Sequence, residues 1–311
     1  VYGRIDQDID RAIELLEKAR ETTLAENNKS HINLYVALGI KSRACLAEGD
    51  WDGAFKAAKR VIDEGGYAVG TKSDLTSGMN SLDKQNVMWG AGIQVADQAG
   101  GYAGFFTHMD NKEGAYAKSA PKLISKQLYN RISATDIRRD WWDPSDKESP
   151  YVSKKFSFAN VASFLGDYIY MRVEEMYFTA AEAALRLDDL KSARELMNTV
   201  MAGRDPGYSA NNRSGTLLGA TTTTWTGSFL ENILTHRRIE LWGEYGRLFD
   251  VRRLGQGIDR RTDDGFSEEC ISMMNRRNVN ITKADTYDWV LTIPKAELDA
   301  NPNINEEDQN P

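Results

Sequence analysis

A mainly α fold, built from paired helical hairpins with a loop-rich face and a few short strands, is predicted by three observations. Apolar residues recur at helical spacing over 1–70. A hairpin of the same design returns over 171–204. Between them, 71–170 is rich in glycine and aromatic residues and has no sustained period.

In "GRIDQDIDRAIELLEKAR", Ile5, Ile9, Ile13, Leu16 and Ala19 mark one helical face and leave the charges on the other. In "INLYVALGIKSRACLAEGDWDGAFKAAKRVIDEGGYAV", a helix carrying Leu34, Leu38, Ala44 and Cys45 runs to a break at Gly49–Asp50. Asp50 can cap a second helix with Ala54, Ala57, Ala58, Val61 and Ile62, which Gly65–Gly66 ends. The pattern repeats in "RVEEMYFTAAEAALRLDDLKSARELMNTVMAGRD". There Val173, Met176, Tyr177, Ala180, Ala181 and Ala184 precede the break at Asp188–Asp189, and Leu190, Ala193, Leu196, Met197 and Val200 follow it. Small residues at matching places let paired helices approach closely, as in tetratricopeptide-type hairpins, of which these are degenerate copies; two unrelated helical hairpins is the alternative.

The middle of the chain changes character. "NVMWGAGIQVA" alternates Val87, Trp89, Ala91, Ile93 and Val95, as a strand does. "DQAGGYAGFFTHMDNKEGAYAKSAP" is a long irregular excursion, and "APKLISKQLYN" predicts a short helix with Pro121 in its first turn. "DIRRDWWDPSDKESPYVSKKFSF" and "FLGDYIYMR" suggest loops and short strands, and "NNRSGTLLGATTTTWTG" another polar loop. Ser228 and Glu231 have the spacing of a capping box. In the tail, Trp289, Leu291 and Ile293 suggest a strand, with Pro294 opening a short helix.

Composition narrows the function classes. Of 311 residues 41% are hydrophobic and 27% charged, with a net charge of −7, a field that opposes general polyanion binding. Three histidines (His31, His108, His236) and two cysteines (Cys45, Cys270) are too scattered for a zinc site, and no cofactor motif occurs. A Cys45–Cys270 disulfide is an open but minor alternative to a buried thiol at Cys45. No apolar run approaches the length of a membrane span. The chain opens on Val1 without a start Met, as a processed or truncated piece would, so any targeting signal is expected upstream.

"LTHRRIELWGEYGRLFDVRRLG", residues 234–255, is the densest charged stretch. Glu240 and Glu244 are four apart, a spacing that puts two carboxylates on one helix face, as a hydrolase's acid and base would need. Arg237 lies three before the first and Arg247 three after the second, so helical spacing predicts local ion pairs that keep both acids ionised, a poor state for a general acid. Leu234, Leu241, Trp242, Tyr245, Leu248 and Phe249 supply the apolar face of the predicted helix. Interleaved acids cancel the field a nucleic-acid grip would need.

The same stretch resembles the C-terminal signature of the SusD/RagB family, roughly Glu-Arg-Arg-x-Glu-Leu-x-x-Glu-Gly-x-Arg-x-x-Asp-Leu-x-Arg-Trp. His236, Tyr245 and Leu254 stand where the family often has Glu, Gly and Trp. "DYIYMRVEEMYFTAAEAALR", "TDIRRDWW" and "IPKAELDANPNINEEDQNP" resemble three further family segments, in the family's order. The resemblance implies a single SusD-like domain over 1–311. Its tetratricopeptide-like scaffold would be 1–70 and 171–204, its loop-rich ligand face 71–170 and 205–227, and its signature helix and tail 228–311. It also implies a glycan-binding, non-enzymatic outer-membrane lipoprotein of Bacteroidetes, seated over a SusC-like TonB-dependent transporter and anchored through an N-terminal lipid upstream of this chain.

The family has no fixed sugar motif, so the site is chosen by chemistry: sugar C–H faces stack on exposed aromatic rings, and amides and acids take the hydroxyls. Residues 98–118 are best stocked, with Tyr102, Phe105, Phe106, His108, Asp110, Asn111 and Tyr116. Trp225, in a hydroxyl-rich loop, is the second choice, and Tyr102, Phe105, Phe106 and Trp225 form the expected platform. Phe105 and Phe106 suit loop anchoring equally well. Trp141 and Trp142 are third, since neighbours in a strand face opposite ways. Trp51, Trp89, Trp242 and Trp289 sit in periodic apolar contexts and are expected in the core. Two rivals remain: a glycoside hydrolase, needing unpaired carboxylates, and a tetratricopeptide-type protein-binding scaffold, needing an open helical groove.

Overall fold

The computed structural model describes residues 2–20, 28–96, 104–213, 227–258 and 290–309. Helices α1 (Tyr2–Arg20), α2 (Leu34–Glu48) and α3 (Trp51–Glu64) open the fold. Ile13 of α1 is buried, with Ile9 and Leu16 packed beside it, while Ile5 stays exposed. Asn33 caps α2 by accepting from the Val36 amide at 2.9 Å, and Asp50 caps α3 from the Gly53 amide at 3.0 Å.

Helices α4 (Lys72–Leu75), α5 (Phe105–Met109), α6 (Ala115–Ser119) and α7 (Lys126–Tyr129) are short and lie in the middle of the chain. Strands β1 (Val87–Ala91), β2 (Trp142–Asp143), β3 (Val152–Ser153) and β4 (Tyr168–Arg172) form two antiparallel pairs, β1 with β4 and β2 with β3. The second hairpin, α8 (Val173–Arg186) and α9 (Leu190–Met201), follows β4 directly. Then come α10 (Phe229–Glu240), α11 (Arg247–Arg253) and α12 (Lys295–Ala300).

Helix α8 is the hub, packed against α2, α3, α9 and α10. Its Ala180, Ala181, Ala183 and Ala184 are fully buried, because only small side chains let several helices reach its backbone at once. The two hairpins turn alike. Gly49 (φ 91°) precedes the cap Asp50, and Asp188 (φ 61°) precedes the cap Asp189, so Asp188 carries a left-handed conformation that glycine carries in the first copy. This shared turn supports the repeat reading.

One core unites the hairpins; a second, with Phe106, Trp141, Trp142, Phe156 and Phe158, lies under the loop-rich face. Helix α10 joins them, with Phe229–Leu234 residues in the first and Ile239 in the second. Among the described residues no helix is long and apolar enough to cross a membrane.

Several local expectations are corrected. The strand at Val87 does not alternate: register shifts on both sides of Trp89 bury Val87, Met88 and Gly90 and leave Trp89 half-buried. It ends at Ala91, and Val95 is exposed. Pro121 lies outside any helix, because Leu123 bridges to Val152 and Ser125 starts α7 instead. Trp141 and Trp142 are both buried, since Trp141 ends a 3-10 turn rather than sharing a strand with its neighbour. The opening of the tail strand falls outside the described residues, with Trp289; Leu291 and Ile293 are not in a strand, while α12 follows Pro294 as expected. Cys45 is a buried free thiol, and Cys270 lies outside the described residues. Trp51 and Trp242 pack at core margins.

Candidate functional site

The charged stretch at 234–255 is not one helix. Gly243 (φ 75°) and Gly246 (φ 113°) turn the chain between α10 and α11, so Glu244 does not share a helix with Arg247, while Arg237, though in α10 with Glu240, pairs elsewhere. Glu240 is fully buried and receives Arg172 at 3.0 Å, Arg204 at 3.1 Å and Arg138 at 3.1 Å. Glu244 is held by Arg172 at 2.8 Å and by Lys155. Arg237 pairs instead with Asp250 at 3.0 Å and Glu175 at 3.6 Å. Arg253 reaches Glu182 at 2.7 Å. These partners were invisible to helical spacing because they lie on β4, α8, α11 and the loops.

Burial by itself would raise the Glu240 carboxyl, but Arg204, Arg172 and Arg138 outweigh it and hold it well below the usual carboxylate range. Glu244, Glu182 and Asp250 are likewise lowered against burial by their cationic neighbours. Burial pulls the Lys155 amine down to about 8. The His236 ring, driven below its ordinary range by burial and by Arg138, accepts from Arg138 Nη2 through Nδ1 at 2.9 Å, which places its proton on Nε2. These are fully committed ion pairs inside the fold, without the open carboxylates that general acid–base chemistry requires.

The expected sugar loop divides. Phe106 is buried against Phe158 and Tyr168, so its ring is a core ring, not a platform; the anchoring alternative holds for it. Asp110 is also buried and accepts from the amides of Lys112, Glu113 and Phe158, each at 3.0 Å. Asn111 donates to the Ser153 carbonyl at 2.8 Å and accepts from the Lys122 amide at 2.8 Å, which ties the loop to β3. Tyr116 is exposed and stacks on His108, ring centroids 4.6 Å apart and planes within 6°. Tyr102 and Trp225 lie outside the described residues.

Two clefts flank this loop, with Phe156 in the wall of both. The first, of about 470 Å³, is aromatic: Trp89, Tyr170, Tyr245, Phe105 and Tyr168 line it with Phe156. Trp89 and Tyr170 meet edge to face at 5.1 Å, and Arg43 lies 3.7 Å over the Tyr245 ring. The second, of about 830 Å³, is polar, with Asp110, Asn111, Lys112, Glu113, Lys118 and Asp143 among its lining. Sequence reasoning placed Phe105, Asp110 and Asn111 here and missed Arg43, Trp89, Tyr170 and Tyr245. The first cleft draws on α2, β1, β4 and the turn before α11, which no sequence window joins; the one legible signal was the Tyr168/Tyr170 alternation in "DYIYMR".

The SusD family (SusD/RagB) matches this sequence over residues 106–311. The chain belongs to the SusD family. Among solved structures, a SusD-like carbohydrate binding protein from Bacteroides vulgatus is 26% identical, with a TM-score of 0.72 over 95% of this chain and 64% of that one. A SusD superfamily protein from Bacteroides thetaiotaomicron is 23% identical, TM-score 0.73, over 98% and 66%. Surface glycan-binding protein A from Bacteroides uniformis is 18% identical, TM-score 0.59, over 98% and 68%. The chain thus spans about two thirds of the length of these structures. No curated protein matches it. Within the SusD-family match lie the buried ion-pair cluster, the Asp110–Asn111 loop and the polar cleft; Arg43 and Trp89 of the aromatic cleft precede it.

Proposed function

We propose that this SusD-family chain is part of a cell-surface glycan-binding protein that captures oligosaccharide or polysaccharide for a SusC-like TonB-dependent outer-membrane transporter. One observation carries the reading: an aromatic cleft opens beside a polar cleft on the loop-rich face, and a glycan chain needs both stacking surfaces and hydrogen-bonding groups. The Bacteroides relatives named for carbohydrate and glycan binding support it. The proposed platform comprises Phe105 and the exposed Tyr116, and the proposal extends to Tyr102 and Trp225; Asp110 and Asn111 shape the polar wall, and Phe106 supports from beneath. Lipid anchoring through an upstream residue and a place on the outer membrane's external face belong to the same proposal, which calls for no cofactor.

Hydrolysis is less well supported, because Glu174, Glu175 and Glu240 are buried in ion pairs. A tetratricopeptide-type protein-binding scaffold is the alternative reading: α3 packs on α8 through small buried side chains such as Ala54, Ala57 and Ala183, as stacked hairpins do. Isothermal titration against a broad glycan panel tests the proposal, with reducing-end release measured in parallel. Saturable binding without release is expected; release of reducing ends, or no binding to any glycan, would overturn it.

A further inference from the structure

We infer that the aromatic cleft takes a neutral pyranose whose ring hydroxyls are equatorial, and discriminates against the uronate of the same configuration. The inference rests on the glycan-binding reading and narrows it to a ligand class.

The walls decide the shape. Trp89 and Tyr170 form one wall, edge to face at 5.1 Å. Tyr245 lines another, backed outside the lining by Phe249, stacked on it at 5.2 Å with 24° between planes. Tyr170 is 42% exposed, far more than a packing ring would be, so aromatic surface is left open at the cleft. The volume, about 470 Å³, falls within the roughly 300–1,000 Å³ of small-ligand clefts. Flat aromatic faces favour a sugar face of axial C–H groups, which equatorial hydroxyls leave clear and an axial hydroxyl would lift away.

The charges decide the class. Arg43 and Glu244 are the charged residues of the lining. Arg43 spends Nε and Nη2 on both oxygens of Glu175, at 2.9 Å and 2.7 Å, and Nη2 also donates to the Tyr170 carbonyl at 2.7 Å. Only Nη1 is left for a ligand, and the Arg43 charge is already balanced by the buried Glu175, so a ligand carboxylate would gain little net attraction for the hydration it gives up. Glu244 is likewise balanced by Arg172 and Lys155, so the lining offers no unpaired cation to a uronate. The carboxylate and the arginine can still exchange hydrogen bonds with neutral hydroxyls.

The test compares cello-oligosaccharides with their C6-oxidised glucuronate counterparts, which differ in charge and not in ring configuration. Titration is expected to show binding of the neutral series at least about tenfold tighter, with little change on raising salt, since no net ligand charge is screened. Trp89→Ala and Tyr245→Ala should each weaken it about tenfold, and Trp89→Phe much less. Melting curves check folding, and Tyr170→Ala, at an exposed ring, serves where another variant does not fold. Equal or tighter binding of the glucuronates overturns the inference, as does unchanged affinity in the folded variants or binding confined to other glycans, and each of these leaves the glycan-binding reading standing. Failure of every glycan in a broad panel removes that reading and the inference with it.

Discussion

The guanidinium of Arg172, the last residue of β4, lies 3.0 Å from the carboxylate of Glu240, the last residue of α10, and both side chains are fully buried. Arg172 also reaches Glu174 at 3.1 Å and Glu244 at 2.8 Å, so one side chain ties the sheet, the hub helix and the turn after α10. Removing either partner strands the other's charge inside the fold. Arg172→Ala and Glu240→Ala should each cost about 3–5 kcal/mol, read from urea midpoints. Arg4→Ala, which breaks an exposed pair with Asp8, should stay within about 0.5 kcal/mol. Equal effects of the buried and exposed changes would contradict the assignment.

Stability should fall with acid in two stages. His236 is held neutral in the fold, while in the unfolded chain it takes up a proton below its ordinary value of 6.5. The unfolded state then binds more protons, so stability declines as pH drops below that value. Glu240, Glu244, Glu182 and Asp250 have folded values below their ordinary ones, so their contribution is present above the unfolded values and is lost as pH falls through the folded ones. His236→Asn, whose amide oxygen can accept from Arg138 as Nδ1 does, should flatten the first stage and leave the second. Denaturant curves across pH would show it.

Phe106 and Tyr116 come from one loop and should separate cleanly. Phe106→Ala empties a core position and should cost about 3–5 kcal/mol in thermal or urea unfolding. Tyr116→Ala should change stability by less than about 1 kcal/mol while weakening glycan binding, measured by titration. A Phe106 variant with native stability would place that ring at the surface after all.

Asp188→Gly should stabilise the chain by a few tenths to about 1 kcal/mol, because φ 61° is strained for any side chain but easy for glycine. The expected sign is a rise in melting temperature. A fall would mean that the Asp188 side chain does work the turn geometry does not account for.

The sequence made the helices legible and the charged stretch misleading, for one reason. Periodicity reports a helix's own faces, so α2, α3, α8 and α9 could be drawn from Leu34, Ala54, Met176 and Ala193. Glu240 looked as though Arg237 would neutralise it because both lie within one turn of α10, but Arg237 turns to Asp250 and Glu175 while Glu240 meets arginines from distant segments, which spacing cannot report. The loop at Phe105–Tyr116 was expected from its composition to face a ligand, and its residues do line both clefts, but composition cannot say which ring points inward: Phe106 does and Phe105 does not bury fully.

What the sequence alone determined is therefore the scaffold and the family: repeated helical hairpins with capped acidic turns, and the ordered segments shared with SusD proteins. These are properties of short windows, where spacing and backbone preference act without help. Only the tertiary structure decided that Glu240 answers to Arg172, Arg204 and Arg138, and that Arg43, Trp89, Tyr170 and Tyr245 share a cleft. Those residues are brought together by the packing of α2, the β1–β4 pair and α10, and contacts between distant segments leave no period in the chain to be read.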